Sequence, residues 1–241
     1  MAHEHQAWLN HMEQQSKAKQ QQFMDGIAAR LKRPRQLEKP EQPFRGAPEF
    51  WQSYTLGEEE RVHTFSEHFN SVGGHVVRAA DMEEAKAFIV SKAEETGARY
   101  LVRQQEPALE ALALEEALPE AELSVWNSGT EENWKARAAE ADFGIVMADH
   151  AVAHTGSVVV RSAKEKGRSV SLLPTVLLII VPVERIVTRL GEVLKPLDES
   201  GREHLPAGIH FISGPSRSSD IENDLTIGVH GPGIVYAILV G

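Results

Sequence analysis

Short apolar runs alternate with longer amphipathic stretches over most of this chain, and the alternation gives an order of elements. Residues 75–78, 100–102, 123–126 and 144–147 read as strands. Residues 82–96, 107–117 and 131–139 between them carry helical spacing, after a first helix at 58–69. Strands separated by helices of this length imply βαβ units and a mostly parallel sheet with right-handed crossovers. Further on, 148–154 reads as a connection of small residues, 155–157 as a tight turn and 158–161 as a strand. Residues 164–168 then read as a charged hairpin loop leading to a second strand at 169–173. The continuous apolar run 176–181 suits a strand buried on both faces. Pro182 ends it, 184–194 has the spacing of an amphipathic helix, and 208–212 and 234–240 read as the closing strands.

The first thirty or so residues follow another pattern. They are glutamine-rich and helical, with Trp8, Met12, Phe23, Ile27 and Leu31 as sparse apolar positions. So thin a stripe gains little from burial, so the arm is expected to fray, or to pack on a partner, a second copy of the chain included. Four prolines within 30–48 stop the helix and make an extended connector. The expected organisation is therefore an arm and connector over 1–48 and one α/β domain over 49–241. Phe50, Trp51, Tyr54 and Leu56 read as an aromatic cover at the domain's edge.

Composition narrows the function classes. A net charge of −10 argues against a general nucleic-acid binder, whose footprint is a basic stripe. No apolar run is long enough for membrane insertion and the beginning is not signal-like, so a cytoplasmic location is expected. With no cysteine in the sequence, neither a disulfide, a thiol nucleophile nor thiolate ligation of an iron–sulfur cluster is open to this chain. The eleven histidines include no His-Glu-x-x-His pattern, and no metal site is expected. Neither a dinucleotide-binding nor a nucleoside-triphosphate glycine motif occurs.

The densest polar chemistry lies between Phe211 and Gly233. Ser213-Gly214-Pro215-Ser216-Arg217-Ser218-Ser219-Asp220 enters it and Gly228-Val229-His230-Gly231-Pro232-Gly233 closes it. Ser219 with Glu222 fits a capping box, so a short helix is expected there. Its free amides, with Arg217, would welcome a carboxylate or phosphate. The other reading is a turn, a cap and a surface charge. His230 reads either as a structural histidine or as a proton-transfer group, and Asp220 either as a second cap or as the loop's own acid. Because ligands of open α/β sheets bind outside the carboxyl ends of strands, this loop and the Thr155-Gly156-Ser157 turn are expected to face each other across one cleft at that edge.

The strings 213–222 and 228–232 resemble the C-terminal signature of the LUD-domain family, in its lactate utilization protein C branch. Ala153-His154-Thr155-Gly156-Ser157 is similar to the family's Ala-Glu-Thr-Gly-Thr, and Ser171-Leu172-Leu173-Pro174 to its Ser-Leu-Leu-Pro. The resemblance implies a Rossmann-like three-layer α/β fold, mostly parallel, of the type of ribose-5-phosphate isomerase, glucosamine-6-phosphate deaminase and coenzyme A transferase, preceded here by the helical arm. It implies a part in oxidising L-lactate to pyruvate, with iron–sulfur clusters on partner proteins and a small anionic metabolite such as lactate or pyruvate as ligand. The alternatives are a stand-alone transferase-like or phosphosugar-isomerase-like enzyme and a non-catalytic scaffold or regulator. Ligand contacts are expected from Thr155, Gly156, Ser157, Ser213, Gly214, Ser216, Arg217, Ser218, Ser219, His230 and Gly231, with His230, His154 and Asp220 as candidate catalytic groups. His154 stands where the family has an acid, which weakens any role needing a carboxylate there.

Overall fold

The computed structural model describes residues 2–35, 37–38, 54–129, 133–219 and 224–241, with the backbone alone for 2–4. The chain divides into two units, Met1–Tyr54 and Thr55–Gly241. In the first, α1 (Ala2–Arg30) is one helix with Trp8, Met12, Phe23 and Ile27 all exposed, as its thin stripe implies. Its polar face carries local pairs such as Lys17 with Glu13 and Gln6 with Asn10. Lys32 takes a left-handed backbone just past its end. Phe50 and Trp51 of the expected aromatic cover, and Asp220 and Glu222 of the expected cap, lie outside the described residues.

The second unit is built on six parallel strands: β1 (His75–Ala79), β2 (Tyr100–Arg103), β3 (Glu122–Val125), β4 (Phe143–Met147), β7 (Val176–Pro182) and β12 (Ile234–Val240), in the order β1-β12-β7-β4-β2-β3. Alternating side chains of β7 divide its burial between two layers. Leu177, Ile179 and Val181 pack with Val62, Phe65 and Phe69 of α2 (Glu58–Ser71) and with Ala138 of α6 (Trp134–Glu140). Leu178 and Ile180 pack on the other face with Ala85, Ile89 and Ala93 of α3 (Met82–Thr96) and with Leu109 and Leu114 of α4 (Pro107–Glu110) and α5 (Leu114–Ala117).

A second sheet was not foreseen as such. β5 (His150–Val152), β6 (Ser157–Arg161), β8 (Ile186–Val187) and β9 (Ile209–Ile212) pair in the order β8-β5-β6-β9, antiparallel except between β5 and β8. Its Ala151, Ala153, Val158 and Val160 join the layer under α2. Val152 and Val159 on the opposite face pack against Val193 of α8 (Leu190–Glu199).

Four expectations are corrected here. The helix expected over 107–117 breaks into α4 and α5 because Ala113 takes a left-handed backbone. The connection expected over 148–154 contains β5. The strand expected over 169–173 is α7 (Arg168–Leu172): adjacent Val170 and Ser171 are buried while Leu172 and Leu173 are exposed, a helical rather than an alternating pattern. The helix expected over 184–194 begins only at Leu190. Val183–Arg185 is a tight 3-10 turn, and Ile186 is drawn into the second sheet opposite Ala151, so strand pairing overrides the helical periodicity.

Candidate functional site

The loop between β9 and β12 is tied into the amino-terminal edge of the parallel sheet. Ile234 lies opposite Val176 at the start of both strands, and the Gly233 amide donates to the Thr175 carbonyl at 2.9 Å. The two signature strings hold each other: the Ser216 amide donates to Pro232 at 2.8 Å, and the Gly228 amide to Ser216 at 2.9 Å. Gly228, at φ +77, lets the chain pass Gly233 so closely that a Cβ would come within 3.0 Å of its Cα.

The Thr155 turn touches this assembly directly, although not at the expected edge. Val158 pairs with Ile212, which brings the Ser157 and Ser213 hydroxyls to 2.7 Å. Gly156, at φ +56, lies so close to α2 that a Cβ would come within 2.7 Å of the His68 Cβ and the Phe69 amide nitrogen. His68 Nδ1 is 2.9 Å from the Ala153 carbonyl oxygen. The C-terminal end of α2 thus links the two segments, and the Arg217 guanidinium donates to its Val72 carbonyl. Gly231 sits against the Ser216 side chain, whereas Thr155, His154 and His230 are exposed. The His154 amide donates to the Thr188 carbonyl at 3.1 Å.

One expectation about this site fails. The segments flank the amino ends of β1, β7 and β12 rather than the carboxyl edge. Arg217 to Ser219 are extended: β10 (Arg217–Ser219) pairs antiparallel with β11 (Leu225–Ile227), with Ser218 opposite Thr226, and the short helix expected after Ser219 falls on residues 220–223, outside the described residues. The amides expected to point at an anion belong to a strand pair. Leu225 and Ile227 lie two residues apart on β11 at 56% and 54% exposure, and Val229, past the Gly228 turn, is 51% exposed, so three apolar side chains here are turned to solvent.

The carboxyl edge holds chemistry that the sequence reading missed. β2 is flanked by β3 and β4, so the strand order reverses there. The Gln104 side chain, nearly inaccessible, accepts from the Met147 amide at 3.0 Å, and Arg103 is buried in an ion pair with Glu115 at 2.9 Å. Just beyond β4, the Asp149 carboxylate accepts from the Arg161 amide at 2.7 Å, the Arg161 guanidinium at 3.2 Å and the Lys166 ammonium at 3.4 Å. Lys166 also pairs with Glu106. Asp149, Arg161 and Lys166 border a cleft of about 420 Å³ whose other wall is Val193, Pro196 and Leu197 of α8. His150 in its lining is held below the ordinary histidine pKa, chiefly by burial and then by the Arg161 guanidinium. The available signal was positional: Asp149 and His150 directly follow a fully apolar strand at the switch in strand order.

Among the described residues, no three histidine or acidic groups converge as a metal site, and no helix is long and apolar enough to cross a membrane.

The LUD domain model matches residues 62–240. The lactate utilization protein C of Halalkalibacterium halodurans is 33% identical over 213 residues, which cover 87% of this chain and 92% of that protein. The lactate utilization protein C 1 of Bacillus mycoides is 33% identical over 220 residues, 88% of this chain and 92% of its own. The crystal structure of a DUF162 family protein from Deinococcus radiodurans superposes with a TM-score of 0.55 at 20% identity, covering 77% of this chain and 99% of that one, and so shares the fold. Since the family model takes in both sheets and the signature loop, and relatives above 30% identity run almost the whole length, the chain belongs to the LUD-domain family.

Proposed function

We propose that this chain is a lactate utilization protein of the C type, working as a subunit of an assembly that oxidises L-lactate to pyruvate. The observation that carries the reading is the similarity to lactate utilization proteins C over most of both chains. The oxidation removes two electrons and two protons from the substrate. With no cysteine in the sequence, thiolate-held clusters that would receive those electrons belong to partner proteins.

The signature loop is the proposed contact with such a partner. It sets exposed Leu225, Ile227 and Val229 beside Arg217 and the hydroxyls of Ser213, Ser216 and Ser218, a face suited to apolar contact ringed by hydrogen bonds. Only one of the five guanidinium N–H donors of Arg217 is needed for the Val72 carbonyl, which leaves others for a carboxylate, of a partner side chain or of a metabolite.

Affinity purification of the tagged chain from its native cells during growth on lactate tests this. Cysteine-rich iron–sulfur proteins are expected to co-purify, and Arg217→Ala together with Ile227→Asp to lose them while the isolated chain stays folded. A chain that purifies alone from such cells, with lactate oxidation intact in a deletion strain, would sink the proposal.

A further inference from the structure

The helix α1 keeps its apolar side chains in water. Over 29 residues it exposes Trp8, Met12, Phe23 and Ile27 at 57%, 46%, 68% and 38%, with Leu9 beside them at 41%. Helices in proteins draw most of their stability from packing such side chains, so the stripe is a surface with a missing partner. The positions 8, 12, 16, 19, 23 and 27 fall within an arc of about 100° at 3.6 residues per turn. The local pairs Glu13 with Lys17, Gln6 with Asn10 and His11 with Gln15 all lie outside that arc and leave it free.

The stripe is its own complement. Its steps of four, four, three, four and four residues read the same in both directions. A second copy laid antiparallel, with a two-fold axis between Lys17 and Ala18, puts Trp8 opposite Ile27, Met12 opposite Phe23 and Ser16 opposite Lys19, each of them twice. Leu9 comes opposite Gly26, where a Cβ would meet nothing within 4 Å, so there is room for it. Each end of the pair then holds one apolar cluster made from both copies. Ser16 and Lys19 keep the middle polar, which fixes register at a cost in stability.

Charge selects the same orientation. Residues 5–16 hold Glu13 and neither lysine nor arginine, whereas 17–35 hold Lys17, Lys19, Arg30, Lys32, Arg33 and Arg35 against Asp25. A parallel pair sets one basic end upon another. The antiparallel pair sets each basic end on the half that has no lysine or arginine.

We infer that α1 is a dimerisation helix whose partner is a second copy of this chain, paired antiparallel about Lys17 and Ala18. The signature loop belongs to the other unit, so self-association and the contact with iron–sulfur partners fail separately.

Sedimentation velocity of the full chain at micromolar concentrations is expected to show a dimer. Met12→Glu and Phe23→Glu are each expected to raise its dissociation constant at least about tenfold, because each buries a charge in an apolar cluster. Arg217→Ala together with Ile227→Asp is expected to leave the dimer intact. Orientation is read by crosslinking, since the sequence has no cysteine of its own. Met12→Cys mixed with Phe23→Cys is expected to join across chains through a short bis-maleimide. Neither joins alone, because eleven residues of rise hold each cysteine about 16 Å from its own counterpart. A monomer at every concentration, a dimer indifferent to both glutamate variants, a mixture that fails to join, or Met12→Cys joined to itself would each overturn the inference.

Discussion

At the amino-terminal edge of the parallel sheet, the polar groups come mainly from one continuous stretch and stay exposed. At the carboxyl edge they come from separate segments and are folded among counter-ions. Arg217 illustrates the first, an exposed guanidinium on a backbone carbonyl. Arg103 illustrates the second, with a side chain 6% exposed and paired with Glu115. The difference teaches what each edge can do. Exposed groups on a hairpin suit recognition of another surface, while charges already paired with one another around a cleft suit a small ligand.

The largest expected effect separates the edges by stability. Glu115→Ala leaves the Arg103 guanidinium buried without its carboxylate. Removing one member of a fully buried pair costs about 3–5 kcal/mol, and the 43% exposure of the Glu115 side chain brings the expectation down to about 2 kcal/mol. Arg217→Ala, at the exposed edge, is expected to stay within about 0.5 kcal/mol. Urea denaturation of both variants measures the contrast, and equal losses would erase it.

A smaller effect tests whether the two amino-edge segments act as one unit. Ser157 is nearly buried and its hydroxyl lies 2.7 Å from that of Ser213, so Ser157→Ala and Ser213→Ala each break the same bond. The double variant is expected to be less destabilised than the sum of the singles, with a coupling of about 0.5–1.5 kcal/mol. Strict additivity in denaturation midpoints would mean that the Thr155 turn and the signature loop merely lie side by side.

How legible each edge was in the sequence follows from the same contrast. The helix over 82–96 could be bounded to the residue because its signals are local: Asp81 caps it, accepting from the Glu83 amide at 2.9 Å and the Glu84 amide at 3.0 Å, and Gly97 closes it in a left-handed turn. The signature loop was legible as a motif for the same reason, since its residues are contiguous. Its position was not, because only the pairing of Ile234 with Val176 puts it at the amino edge. Ser219 reads as a cap since a hydroxyl three residues before a glutamate is a local pattern, while the pairing of Ser219 with Leu225 is not. The second sheet and the cleft depend wholly on such pairings. Arg161 reaches Asp149 only because β6 folds back antiparallel on β5, and no periodicity records that.

Acid sharpens the comparison further, with an effect expected to be smaller because both rings concerned keep partial contact with water. His150, at the carboxyl-edge cleft, and His210, on β9, are both held below their ordinary pKa of 6.5, first by burial and then by Arg161 and Arg168 respectively. As pH falls through 6.5 the unfolded chain takes up these protons before the folded one does. Stability therefore declines from that point downward until the folded-state pKa values are passed, and above 6.5 it is unaffected by these groups. His150→Gln is expected to flatten the melting temperature between pH 6.5 and the acid limb, by its own share, and a profile as steep as wild type would remove His150 from the account.

The smallest expected effect falls on His154, the position at which the family resemblance implies an acidic residue. The side chain is exposed at the amino-edge assembly, and the His154 amide donates to the Thr188 carbonyl, a backbone contact that a substitution leaves in place. A glutamate at this place keeps its hydration, so His154→Glu is expected to change stability by no more than about 0.5 kcal/mol. Exposure also bears on chemistry, because a group open to water at the edge opposite the cleft is badly placed to transfer a proton to a ligand held there. In an assembly reconstituted with the proposed iron–sulfur partners, the pH profile of lactate oxidation with His154→Glu is expected to overlay that of wild type. A shifted optimum in a fully stable variant would place proton transfer at the amino edge and reverse the roles assigned to the two edges.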